Sequence, residues 1–206
     1  LAMAAWLMPE TLPVDKRSQL SFKTTFASWG EIFRDRRFIA MAITGGLLFG
    51  QVCVFIAGAP FALQDGFNLT PTEYTYAFAA VTIVMFSANA INRSLLKRFA
   101  SISLLRYGLS QAIFAALFMT TMNIFNLHTL PTSIIGFALS ISAMGFCMAN
   151  MLGLAMRDHG ARAGTAAGLI GFTNSLGGAI AAPLTSLIFG LDIVGVTLFM
   201  SILLVA

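Results

Sequence analysis

Charge is what this chain has least of. Asp, Glu, Lys and Arg make up 10% of its 206 residues, against roughly a quarter in an ordinary soluble domain. Apolar residues make up 58%, more than a soluble fold of this length could hide from water. The composition therefore excludes a soluble domain, and no nucleic-acid partner is expected. Cysteine is scarce too: Cys53 and Cys147 are the two, each inside a long apolar run. They offer no metal or redox spacing, and a fold built on disulfides is excluded. Histidine is limited to His128 and His159, and P-loop, H-E-x-x-H and G-x-S-x-G motifs are all missing. With them go the enzyme classes those motifs serve, and no metal or cofactor is expected.

What remains is long apolar runs. Segments 38–62, 74–92, 103–124, 132–156 and 164–190 are each long enough to span a bilayer. A sixth, 193–206, has 14 residues, about 21 Å as a helix against a hydrocarbon core of ~30 Å. LAMAAWLM (1–8) is a further short apolar run, ending at Pro9 and lacking the basic leader of a signal peptide. Both ends are thus expected to be pieces of spanning helices, and the chain a fragment of a longer protein. The segments must be helical, because isolated strands would leave backbone groups unpaired in lipid, and barrel-type alternation is missing.

The 12 basic residues fix an expected topology. Lys16, Arg17, Lys23, Arg34, Arg36 and Arg37 precede the first full segment. Arg93, Lys97, Arg98 and Arg106 bracket the second connection, and Arg157 and Arg162 the fourth. The alternate connections carry Asp65, Glu73 and Asp192 but no base. The positive-inside rule then places 9–37, 93–102 and 157–163 in the cytoplasm. Within 9–37, Phe22, Phe26, Trp29 and Phe33 recur at helical spacing. That amphipathic helix either lies on the inner membrane surface or packs beneath the bundle.

The segment 164–190 carries a stripe of small residues: Gly164, Gly168, Gly171, Ser175, Gly178, Ala182 and Thr185, spaced alternately four and three apart. Such a face lets another helix approach closely. Pro183 in the same segment removes one ladder bond and can kink it. GLLFG, Gly46 to Gly50, is a second and weaker instance. Gln51, Asn89, Asn150 and Asn174 lie within spans, where polar groups are costly. Each either meets a substrate or water path, or hydrogen-bonds to a neighbouring helix. No Asp, Glu, Lys, Arg or His lies at mid-depth in the five full segments. Asp158 and His159 read as solvated loop residues, since adjacent positions on a helix point about 100° apart.

Four stretches resemble a known family. LMPETLP (7–13) is similar to a Pro-Glu-Thr signature that ends the sixth helix of many major facilitator superfamily transporters. FIAGAPFAL (55–63) with FNLTPTEYTYAFA (67–79), NRSLLKRFASISLLRYG (92–108) and AGTAAGLIGFTNSLGGAIAAP (163–183) resemble the seventh-to-eighth, eighth-to-ninth and eleventh-helix regions of the Bcr/CflA drug-resistance subfamily. The resemblance covers essentially the whole chain. It implies an all-α membrane protein, the C-terminal six-helix half of a twelve-helix fold truncated in its last helix. Residues 1–8 would then end helix six, 9–37 would link the halves, and 38–206 would form the bundle. Substrate would bind between the halves near mid-membrane.

In that family the seventh and tenth helices line the cavity, which raises Gln51, Phe55, Met144, Cys147 and Asn150 as wall candidates. Flexible Met and aromatic side chains suit loosely specific apolar ligands. NRSLLKRF lacks the glycine and aspartate of the strong inter-helix motif of the superfamily, so Arg93 and Arg98 need have no gating role. The expected function is multidrug efflux across a bacterial inner membrane, drug exchanged for protons, with the N-terminal half of the same chain as partner. Gly164, Gly168, Gly171, Ser175 and Gly178 would form the sliding face, so leucine at Gly171 or Gly178 should abolish efflux. The alternatives are a carrier for a sugar, amino acid or other metabolite, and, from another class, a six-helix assembly protein that transports nothing.

Overall fold

The computed structural model describes residues 29, 30, 32 and 34–206. The expectations for residues 1–8, and for Phe22, Phe26 and Phe33, lie outside them; Trp29 is helical and exposed. Among the described residues there are six α-helices and no strand. They are α1 (Arg36–Phe67), α2 (Pro71–Leu95), α3 (Ser101–Ile124), α4 (Leu130–Asp158), α5 (Ala163–Leu184) and α6 (Ile193–Val205). The first five are long and apolar enough to cross a membrane, with α5 counted together with the turn that follows it.

Local chemistry sets the ends. Asp35 caps α1 by accepting the Arg37 N–H at 2.8 Å. Asn68 closes it in the left-handed region (φ 52°), its N–H returning to the Gln64 carbonyl. Gln64 and Asp65 therefore stay helical, which carries α1 beyond the apolar run that announced it. Thr70 and Glu73 form a reciprocal capping box at the start of α2, with Pro71 in the first turn. Thr129 and Thr132 do the same for α4. On α5, the ladder widens into a π-helical turn (Thr185–Phe189) just after Pro183, and Gly190 (φ 82°) ends it.

The bundle has two centres. α1 packs most extensively on α5 and also touches α6, whereas α4 lies among α1, α2 and α3. Phe55, Leu63, Met119, Phe137, Ile141 and Met200 belong to the main core. A smaller core of Ile32, Phe38, Ala42, Ala155, Ala166, Leu169 and Ile170 sits at the basic end. Large apolar side chains such as Phe86, Phe114, Leu117 and Leu187 point outward, as expected where the solvent is lipid tails.

Hydrogen bonds tie α4 to α1, α2 and α3. The Ser140 hydroxyl donates to Gln51 Oε1 on α1 at 2.5 Å, and Gln51 Nε2 donates to the Ser140 carbonyl at 3.3 Å. Asn150 Nδ2 donates to Asn92 Oδ1 on α2 at 2.8 Å. Gln111 Nε2 on α3 donates to the Leu139 carbonyl and to Ser142 Oγ at 2.6 Å. An S140A variant leaves Gln51 Oε1 buried without its donor. It is expected to destabilise the protein by about 0.6 kcal/mol, the average for such bonds in a membrane bundle, and by no more than about 1.7 kcal/mol, read as a lowered melting midpoint in detergent. A Q51L/S140A double variant should recover part of that loss, because no amide is then stranded.

Candidate functional site: helix seams and the open face

A backbone-to-backbone helix contact is built from GLLFG. A Cβ added at Gly46 would lie 2.9 Å from the Thr173 carbonyl oxygen of α5, and one at Gly50 would lie 3.2 Å from that of Gly177. A Cβ at Gly177 would run into the Gly46 carbonyl oxygen. Backbone therefore meets backbone, at the separation that permits Cα–H···O contacts between helices. Ala181 extends the contact beside Gly50, and the Asn174 side chain abuts Gly45. The motif that looked weaker in the sequence makes the tight seam, and its chief partner, Gly177, is not in the stripe.

The stripe itself divides. Gly164, Gly168, Gly171 and Ser175 are exposed, and a Cβ at any of the three glycines would meet no atom within 4 Å. Further along, Gly178 is buried, and a Cβ there would sit 2.6 Å from Cys53 Sγ, with Phe49 close by. Thr185 is also buried, whereas Pro183 is exposed. α5 thus carries three lines around its circumference. Ala166, Ile170, Thr173, Gly177 and Ala181 face α1; Gly164, Gly168, Gly171 and Ser175 form an open small-residue line. Phe172, Leu176 and Ile180 form an open bulky one.

The five wall candidates are differently placed. Gln51 is fully buried, and its amide nitrogen and oxygen each bond to Ser140. Phe55 is buried under Phe78 and Phe137, with ring centroids 5.4 and 5.1 Å away. Cys147 is buried on the α3 side of α4, its sulfur against Gly108. Asn150 is buried between α4 and α2, and its Oδ1 has no hydrogen-bond partner. Met144 alone of the five keeps a partly open side chain. Phe78, stacked on Phe55 and joined by Tyr74 at 5.9 Å, is also partly open, as is Met148. Tyr74, Phe78 and Met148 were not among the expected wall residues; the spacing of four between Tyr74 and Phe78, and between Met144 and Met148, is the signal in the sequence that marks them. Of the other polar residues, Asn89 bonds back to the Met85 carbonyl of its own helix, and Asn174 Oδ1 is buried without a hydrogen-bond partner.

The basic end differs from expectation at one residue. Arg93, Lys97, Arg98, Arg157 and Arg162 are exposed around the two connections, as their charge requires. Arg157 and Asp158 pair loosely at 3.7 Å, an arrangement of little energetic weight on a surface. His159, however, is no solvated loop residue. Its side chain is 18% exposed, and its Nε2 lies 3.1 Å from Asp35 Oδ2. Its ring stands edge-on to Phe38 at 5.4 Å. A pair separated by 124 residues leaves no local pattern to read. At the opposite end, His128 Nε2 meets Asn123 Oδ1 at 2.7 Å, and Thr197 of α6 donates to the same oxygen at 3.0 Å. Burial holds the His128 imidazole below its ordinary range, opposed by the charge of Asp192.

Comparison with known proteins agrees with this architecture. The family model of the Major Facilitator Superfamily matches residues 1–182. The uncharacterized MFS-type transporter YdgK of Bacillus subtilis (strain 168) is 30% identical over 189 residues, covering 90% of this chain and 46% of that protein. The chain thus spans about half the length of the curated relative it matches. Among the described residues, six helices, five of them of spanning length, are held by glycine seams and by hydrogen bonds centred on α4; with these matches they lead to one assignment: the chain belongs to the major facilitator superfamily.

Proposed function

We propose that this chain is the C-terminal half of a multidrug exporter of the Bcr/CflA type, exchanging drug for protons across a bacterial inner membrane by alternating access. The observation that carries the reading is the open face of the bundle. Along α5, Gly164, Gly168, Gly171 and Ser175 offer a smooth, exposed line on which none of the described residues packs, as a second half rocking against this one requires.

The partly open side chains Tyr74, Phe78, Met144 and Met148 supply adaptable apolar surface. Among the described helices, charged side chains are confined to the ends. Apolar or amphipathic drugs suit such a surface better than charged metabolites do. The proton-carrying carboxylate would then belong to the other half.

Cells making the full-length protein should show reduced susceptibility to several unrelated lipophilic drugs. Addition of a proton uncoupler should remove the protection. Unchanged susceptibility to every drug tested would instead favour the metabolite carrier.

A further inference from the structure

The pairing of Asp35 with His159 joins the start of α1 to the end of α4, beside the packing of Phe38 on the same imidazole. Asp35 uses both carboxylate oxygens: Oδ1 caps α1 through the Arg37 N–H at 2.8 Å, and Oδ2 meets His159 Nε2 at 3.1 Å. His159 is the residue that ends α4. Its N–H bonds to the Ala155 carbonyl and its carbonyl accepts from the Arg162 N–H at 2.7 Å. The ring is oriented by the nearly perpendicular Phe38 and borders a solvent-facing recess of about 240 Å³ lined by Asp158, Gly160 and Arg162. Beneath the pair lies the small basic-end core, in which Ile32 is 1% exposed. The start of α1 is therefore joined to the α4–α5 turn by one titratable contact, set over an apolar core that includes Ile32 and Phe38.

We propose that Asp35 and His159 form a proton-operated clasp, which protonation of His159 tightens and deprotonation loosens. Histidine is the side chain whose ordinary range lets it change charge between about pH 5 and pH 8. A charge-assisted hydrogen bond is roughly twice as strong as a neutral one. The Arg37 N–H, the largest influence on Asp35, holds its carboxylate below the usual range, with the His159 contact adding to the effect. Asp35 thus stays ionised as the pH falls through the histidine range, and the clasp is tight in the window where His159 is charged and Asp35 is not yet neutralised.

The surrounding charges are those of three elements. Arg34, Arg36 and Arg37 flank Asp35; Arg157 and Asp158 precede His159 on α4; Arg162 follows it. The consequence is a connection into α1 whose tightness follows the pH on the basic side of the bundle. This holds whatever the substrate is.

The test uses the full-length protein in lipid nanodiscs with a nitroxide on G30C, a site where a Cβ meets no atom within 4 Å. Lowering the pH from about 8 to about 5.5 is expected to raise the ratio of immobilised to mobile label by about fivefold. In H159Q, which keeps a neutral donor, the ratio should be independent of pH. In D35N, which keeps a capping oxygen, the label should stay mobile at both pH values. A parent spectrum that does not change with pH would overturn the clasp, as would an undiminished shift in H159Q. If H159Q does not fold, the parent and D35N series decide the matter alone. Transport assays are not part of the readout, so failure of the exporter reading would leave this result interpretable.

Discussion

Replacing Gly177 with leucine is expected to prevent the protein from accumulating in folded form. The reason lies in what stands opposite. The atom nearest an added Cβ is the Gly46 carbonyl oxygen, with the Gly46 carbonyl carbon and Cα next. All three are backbone, so no side chain can swing aside. Alanine at Gly177 should already cost about 1–3 kcal/mol, the usual range for overpacking; against a total stability of about 5–15 kcal/mol that is a large share. Leucine must separate α1 from α5 outright. Size-exclusion profiles of a fluorescent fusion should show the monodisperse peak reduced for G177A and lost for G177L. An undiminished peak for G177L would mean that α1 and α5 do not meet as described. G164A, at a position with no neighbour, is the control and should leave the peak unchanged.

Leucine at Gly171 is expected to do the reverse, abolishing transport while leaving the folded yield intact. Nothing within this bundle approaches that position within 4 Å, so a larger side chain has room here. On the proposed function, it has none once the other half closes on α5. Drug accumulation in cells, normalised to the amount of folded protein, separates the two effects. Unimpaired efflux by G171L would count against α5 as the rocking face. Gly178 does not serve this purpose. Its neighbours Cys53 and Phe49 belong to the same bundle, so leucine there perturbs internal packing first and any loss of efflux would be ambiguous.

These two glycines show what the sequence could and could not tell. Spacing by fours and threes identifies residues that share a helix face, and the six helices and their order follow from apolar run length. Spacing does not say what the face meets. Gly46 and Gly50 made only one GxxxG, yet they form the tight seam because Gly177, one position off the stripe, stands opposite. Helix ends were legible only roughly, since Gln64 and Asp65 read as loop until the Asn68 cap is seen. The wall candidates Gln51 and Asn150 were visible as polar groups in apolar runs. Whether each faced a ligand or another helix depended on Ser140 and Asn92, distant in sequence. His159 was misread for the same reason.

The hydrogen bonds of α4 have a consequence for how the protein is made. Gln51, Asn92 and Gln111 belong to α1, α2 and α3, all synthesised before α4. Their inter-helix partners lie on α4, at Ser140, Asn150, and Leu139 with Ser142. The partners of Gln51, Asn92 and Gln111 are therefore all supplied by a helix made after theirs. A nascent chain halted before Leu130 is thus expected to lack the inter-helix hydrogen bonds that α4 makes to α1, α2 and α3, and to complete them only when α4 arrives.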